Sequence, residues 1–593
     1  MKRTEIDDQY KWNLADIYAS DADWEADFKR LQDMLPALKG LKEGFASSAA
    51  ALADALERMD EAALLCEKLY VYARMHRDEN NANALYQGMA DRAMSLNVTV
   101  SGETSFVAPA LLKLPAETLE QYIAGEKRLA PYAFMIRDII RQKQHVLSEN
   151  EEKLLSLSSD FASGARDIFT MLNNADLKFG TVETPEGPVT LTHAKYAEMM
   201  QHKDREVRKN AFETYYSAFR GSINTIAATY STSVKKDIYY TKVRGYESAV
   251  ARALFSDNVP VSLYDDLINA IHDSLPTMYE YIETRRKILG LSDIAMYDIY
   301  VPLVAEFDKK YTYDQAMDLV TEALSPLGDE YSELLKRARN ERWIDVYETE
   351  GKTSGAYSWG AYGTHPYVLL NHRDDLDSAY TIAHELGHAM HSYYSDEALP
   401  FPLAGYTIFV AEVASTVNEI LLTKYLLDHG DEALKKYVLN HYLDQFRTTV
   451  LRQTMFAEFE RISHAMGESG EPLTHEGLSQ KYAELNKLYY GDGIKTCDTI
   501  SIEWARIPHF YNAFYVYKYA TGFSAAVAIA TGIYEGKPGV RDAYFAFLKS
   551  GGSDYPLNLL KKAGVDFEGG APVRACMQAF SAALSDFKKV MNV

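Results

Sequence analysis

His384-Glu385-Leu386-Gly387-His388-Ala389-Met390-His391 is the stretch on which the reading of this chain turns. Its first five residues are H-E-x-x-H. Residues four apart on a helix share one face, so His384 and His388 stack a single turn apart. Two imidazoles so placed can hold one zinc ion, and Glu385 lies beside them, free to act as a base on a water. The flanks predict a helix. Leu376, Ala379, Tyr380, Ile382, Ala383 and Leu386 give it an apolar body, and Asp374, Asp375 and Asp377 put negative charge at its start.

H-E-x-x-H alone arises by chance in roughly a few per cent of chains this rich in histidine. A third ligand on a second element is the discriminating feature. After a breaker-rich loop at 399–405, residues 407–422 read as a strongly apolar helix carrying only two carboxylates, Glu412 and Glu419, two turns apart on one face. A carboxylate on an otherwise buried helix is costly unless paired or bound to metal. Glu412 as third ligand and Glu419 as partner of a ligating histidine remove that cost. The plain structural alternative is a buried salt bridge to a Lys or Arg elsewhere.

Composition sets the outer bounds. A chain of 593 residues, 47% hydrophobic and 25% charged, is globular and can bury several cores. A net charge of −22 argues against nucleic acid or an anionic membrane as partner. Cys66, Cys497 and Cys576 lie far apart, so neither a disulfide framework nor a thiolate zinc site is expected. With no secretory leader and no apolar run of membrane-spanning length, a cytoplasmic location is the expectation.

Along the chain, residues 22–144 have helical periodicity, and Ser148 to Glu151 has capping-box spacing. Residues 177–182 and 189–191 around Thr184-Pro185-Glu186-Gly187 predict a β-hairpin. Residues 204–243, 263–289 and 313–339 are expected to be helical, the first with Phe212, Tyr215, Tyr216, Phe219, Ile223, Ile226 and Tyr230 on one broad face. His76, His145 and His193 are isolated, and His475-Glu476 lacks a histidine at the second position. Residues 343–347 and 366–370 read as strands around a Gly-rich stretch, whose expected role is either an ordinary hairpin or a small sheet with an edge for extended peptide. Four tyrosines crowd residues 510–519; Tyr511, Tyr515 and Tyr519, spaced by four, are expected on one helical face. Buried phenols need partners, either backbone or a bound peptide carbonyl and the oxyanion formed from it. Residues 549–556 read as a turn before a final helix that opens on Pro556.

Three stretches carry a resemblance. H-E-L-G-H-A-M-H is followed, 28 residues after His384, by Glu412 within F-V-A-E-V-A-S-T-V-N-E. The others are G-K-T-S-G-A-Y-S-W-G at 351–360, with P-Y-V-L-L-N at 366–371, and P-H-F-Y-N-A-F-Y-V-Y-K-Y-A-T-G at 508–522. The chain resembles the thimet-oligopeptidase-like zinc peptidases, and within them the oligoendopeptidase F group, from about residue 200 onward and more weakly before. The resemblance implies a mainly α, two-lobed zincin-type metallopeptidase with a small β element beside the zinc-binding helices and an enclosed substrate channel. It divides the chain into an N-terminal helical lobe, 1–195, and a catalytic domain, 196–593. It implies one Zn²⁺ held by His384, His388 and Glu412, with Glu419 behind them, Glu385 as general base, and His509, Tyr511 and Tyr515 assisting. Lys518 occupies the ungapped position of the next family tyrosine, which leaves Tyr517 or Tyr519. Gly355 and Tyr357 are expected at the substrate.

The expected reaction is hydrolysis of internal bonds of short peptides. Two alternatives stand beside it. A metallocarboxypeptidase needs a fixed cation for the terminal carboxylate, with Arg373 and Arg506 as candidates. A non-enzymatic peptide-binding protein would carry structural zinc, which usually takes four protein ligands.

Overall fold

The computed structural model describes residues 1–304, 307–495 and 497–593. Helices dominate it, with two two-stranded sheets and one three-stranded sheet among the described residues. The mainly α expectation holds. The chain divides into two compact units, each assembled from three stretches: Met1–Gln144, Asp308–Tyr425 and Ile529–Val565 in the first, and His145–Phe307, Leu426–Ala528 and Asp566–Val593 in the second. These units are drawn on a different basis from the expected division at 195. Compactness groups residues by contact, whereas that division follows sequence likeness.

In the first unit, Ser20, Ser48 and Asn83 cap the helices Asp21–Gly40, Ala49–Glu79 and Ala84–Thr104 by accepting orphan backbone N–H groups. Their apolar faces form one core that includes Trp24, Leu31, Leu69, Ala73 and Met75 and continues onto Tyr367 and Leu369 of the three-stranded sheet. That sheet places strand Tyr367–Leu369 centrally, parallel to Ile344–Asp345 and antiparallel to Tyr357–Trp359. The Gly-rich loop is tied to helix Ala49–Glu79 through buried Asp78, which accepts from Thr353 Oγ1 at 2.8 Å and from the Tyr357 hydroxyl at 3.0 Å. The predicted helical stretch 313–339 is two helices, Tyr313–Ala323 and Asp329–Asn340. Pro326 and Gly328, the latter at φ +99°, break it between them.

In the second unit the predicted hairpin forms, with Thr181–Thr184 antiparallel to Gly187–Thr190. The Ser148 capping box is present. The stretch 204–243 is again two helices, Arg205–Gly221 and Ile223–Val243, separated where Gly221 meets non-helical Ser222. Its aromatic face is buried as expected. A parallel pairing of Ile294–Ala295 with Ile494–Lys495 had no local signal, because each strand has two residues. Pro556 does open a helix, Pro556–Lys562, which lies in the first unit, but the final helix is Ala571–Met591, preceded by left-handed Gly569 and Gly570.

Candidate active site

The H-E-x-x-H helix runs Leu376–Ala398. Asp375 caps it, accepting the Ser378 N–H at 2.8 Å. Helix Ile408–His429 crosses it at a contact set by one residue. A Cβ on Gly387 would lie 2.5 Å from Ser415 Cα and 2.7 Å from the Ala414 carbonyl oxygen, so only glycine lets the two backbones approach. Asn418 locks the crossing. Its Nδ2 donates to the Ala383 carbonyl at 3.0 Å, and its Oδ1 accepts the Tyr331 hydroxyl at 3.0 Å. Neither Gly387 nor Asn418 was singled out from sequence, although the small pair Ala414-Ser415 opposite a glycine was the available signal.

The crossing brings three of the predicted residues together. Among the described residues, His384, His388 and Glu412 offer ligand atoms that all lie within 4.8 Å of one another. Both Nε2 atoms are 3.4 Å from Glu412 Oε2, and the two imidazole planes are 82° apart. Ser415 Oγ donates to the same Glu412 oxygen at 3.0 Å. Glu419 Oε1 is 2.5 Å from His384 Nδ1, which fixes the ring with Nε2 turned to Glu412. Two imidazole nitrogens, one carboxylate and a second carboxylate holding the far side of a ring are a donor set that fits a zinc ion.

The electrostatics agree with that fit. Hydrogen bonding to His388 holds Glu412 down to about 2, against the cost of its burial. Burial opposes charge on His384, but the Glu419 hydrogen bond and the nearby carboxylates lift it to about 9. The cage therefore attracts positive charge. Glu385 is 7% exposed, and burial raises its carboxyl although both histidines oppose the shift. His391 is stacked on Tyr406 at 3.7 Å and is pushed down to about 3 by burial, so it belongs to the core.

Beside the helix's first turns lies a cavity of about 400 Å³, lined by Gly355, Ala356, Asn371, Arg373, Ser378 and Thr381 among others. Gly355 is left-handed, at φ +85°, and its carbonyl accepts from Asn371 Nδ2 at 2.7 Å. Tyr357 is committed to Asp78 through its hydroxyl. Among the described residues, strand Tyr357–Trp359 pairs on one edge only. Arg373 lines the cavity but is exposed; Arg506 is bound to Glu503 at 2.9 Å.

In the second unit the tyrosine segment departs from expectation. Tyr511, Tyr515 and Tyr519 do not share a helical face. Pro508–Tyr511 is a short 3₁₀ turn, Phe514 is left-handed at φ +60°, and the α-helix begins only at Tyr517. Buried Glu460 holds the bend, accepting the Phe514 N–H on Oε1 at 3.0 Å. Tyr519 nevertheless gathers with His509 and Tyr515, at ring separations of 6.0 and 5.5 Å. Burial lowers the basicity of His509. Tyr517 instead packs fully buried against Tyr264. Tyr511 stacks on Phe169 at 4.4 Å, and its hydroxyl is buried without a hydrogen-bond partner among the described residues. His76, His145, His193 and His475 sit on ordinary hydrogen-bond or ion-pair partners. No helix among the described residues is long and apolar enough to cross a membrane.

Comparison with known proteins identifies the family of this chain. The profile of peptidase family M3 matches residues 198–578, and that of oligopeptidase F matches residues 111–179. Oligopeptidase PepF of Bacillus subtilis is 42% identical over 99% of this chain and 88% of its own. A crystal structure from Chlamydophila abortus superposes with a TM-score of 0.93 at 36% identity, covering 99% of both chains. Oligoendopeptidase-F from Enterococcus faecium does so at 0.74 and 35%, over 96% of this chain and 99% of its own. With the H-E-x-x-H helix crossed by the Glu412 helix, and with matches that run through nearly the whole chain, the protein belongs to peptidase family M3, in its oligoendopeptidase F group.

Proposed function

We propose that this peptidase is a zinc-dependent endopeptidase that hydrolyses internal bonds of short oligopeptides in the cytoplasm. The observation that carries the reading is the convergence of both Nε2 atoms on Glu412 Oε2, beside buried Glu385. In it, His384, His388 and Glu412 hold one zinc ion per chain, and Glu419 orients His384. When bound, the ion polarises the scissile carbonyl and acidifies water. Glu385 takes the proton of the attacking water on its carboxylate and delivers it to the departing amine nitrogen. Its raised proton affinity suits that exchange.

His509, Tyr511 and Tyr515 are assigned, through the family likeness, to donating hydrogen bonds to the oxyanion. Tyr519 is the better fit for the remaining family tyrosine, since it sits with His509 and Tyr515. The open edge of strand Tyr357–Trp359, with Gly355 ahead of it, suits an extended peptide backbone. An enclosed channel, carried by the same likeness, would restrict substrates to short, unfolded chains. The names of the Bacillus and Enterococcus relatives support small peptides and internal cleavage respectively.

Product mapping on a mixed library of terminally blocked peptides tests the reading, with chelator and with zinc added back. Internal cuts that vanish on chelation and return with zinc are expected. Release of terminal residues alone from unblocked peptides would replace it with the carboxypeptidase alternative, and chelator-resistant activity would remove the metal.

A further inference from the structure

The second unit contains a cluster of buried and partly buried arginines that the proposed chemistry does not use. They border a cavity of about 640 Å³ lined by Arg447, Arg452, Arg506, Tyr300, Asn440 and His193 among others. Arg447 is carried by a short π-helix, Phe446–Leu451, a widened turn of a kind often found at functional sites. Its side chain is 3% exposed. Nε and Nη2 donate to Asp444 Oδ1 at 3.1 and 3.0 Å, and the guanidinium lies 4.8 Å from the Tyr300 ring centre. Nη1 is buried and has no acceptor among the described residues.

The neighbouring charges do not balance. Arg452 and Arg506 share one carboxylate, Glu503, at 2.7 and 2.9 Å. Glu503 is already ionised: burial opposes its charge, but the two arginines hold it down to about 2. Arg285, fully buried, donates to the Tyr281 hydroxyl at 3.1 Å, and that hydroxyl donates to Asp444 at 3.1 Å. Arg285 Nε also lacks an acceptor among the described residues. Arg447, Arg452 and Arg506 thus share two carboxylates, Asp444 and Glu503, among the described residues, while Arg285 is held by the Asp298 and Val301 carbonyls and reaches Asp444 only through Tyr281. A guanidinium cannot shed its proton, and unbalanced buried charge is expensive. Asn440 adds a second handle. Its Oδ1 is buried without a donor among the described residues, and with the amide turned over the same position offers N–H to an acceptor.

We infer that this cavity binds a compact anion, a carboxylate or a small inorganic ion, with Arg447 Nη1 as its main donor and Asn440 as a second. Its sources differ: a free anion, or the terminal carboxylate of a peptide.

The test is thermal unfolding of the full chain at constant ionic strength, held with a bulky sulfonate, against rising acetate, chloride or inorganic phosphate. A saturable rise in Tm of roughly 2 °C or more is expected for at least one of them, or for a peptide with a free carboxyl terminus over its amide. The Arg447→Met variant should lose that response. Stabilisation by small anions alone identifies a free ion, and stabilisation by the free-acid peptide alone identifies a peptide terminus. Asn440→Asp keeps the test decisive if Arg447→Met does not fold. It places a carboxylate inside the cavity, so its Tm without added anion should exceed wild type and its anion response should disappear. Equal responses in wild type and variants, or none in any, would overturn the inference.

Discussion

The H-E-x-x-H helix and the tyrosine segment present the same pattern in sequence, polar residues four apart in an apolar setting, and they fold differently. In the first, four-residue spacing means what helical geometry says, and His384 and His388 sit one turn apart with their Nε2 atoms equally far from Glu412. In the second, Pro508 and left-handed Phe514 interrupt the helix. The grouping of His509, Tyr515 and Tyr519 arises from a bend held by Glu460, which is 54 residues away in sequence. A regular helix places side chains from local rules alone. A bent segment needs a distant partner to define it, and its positions are more sensitive to that partner.

Breaking the first region at its base should have the largest effect. Glu385→Gln should cost roughly 10²–10⁴-fold in kcat while metal content stays at the wild-type level, because the amide cannot carry the proton. Turnover near wild type, with zinc and rate measured on one preparation, would falsify the general-base role.

The cage can then be taken apart. Glu412→Ala should remove most zinc affinity, whereas Glu419→Ala should lower it by about 10–100-fold, since it loosens a ring and removes no donor. Competitive titration with a zinc indicator reads both. Normal binding by Glu412→Ala would place the third ligand elsewhere.

Gly387→Ala examines the crossing itself. The added methyl meets backbone rather than a flexible side chain, so the helices must separate, at a cost of about 1–3 kcal/mol. Denaturant melts of the metal-free protein should show that loss, and zinc affinity should fall with it. An unchanged midpoint would mean that the helices have slack.

For the second region, Tyr515→Phe should lower kcat by roughly 10²-fold with little change in KM, as for a donor used only in the transition state. An unchanged kcat would make Tyr515 a packing residue.

The smallest effect contrasts two carboxylates of the first unit. Glu412, beside imidazoles, is held low; Asp396, at the far end of the H-E-x-x-H helix, is pushed up to about 7 by burial and by the fields of Glu67 and Glu397. A carboxyl whose folded pKa lies above its unfolded value favours the fold while protonated. Its contribution is therefore full below about pH 4 and is lost as pH rises to about 7. Asp396→Asn should flatten that part of the stability–pH curve and raise the Tm at pH 8 by a degree or two. Identical curves for wild type and variant would show that Asp396 is solvated.

What the sequence alone determined is what depends on short range. The helix under His384 and His388, the second helix with its two carboxylates, the Ser148 cap and the 181–190 hairpin each rest on spacing within one or two turns. The two carboxylates on an apolar second helix suggested its pairing with the first, and the family likeness agreed with that pairing. Tertiary structure decided the rest. It placed Asn418 against Ala383 and required glycine at 387, it split the stretches 204–243 and 313–339, and it bent the tyrosine segment. It also assembled the Arg447 cavity from residues scattered between 173 and 508. These features depend on contacts between residues remote in sequence, so periodicity carries no trace of them. Where a buried charge or a close backbone approach is the controlling quantity, it exists only once the chain has packed.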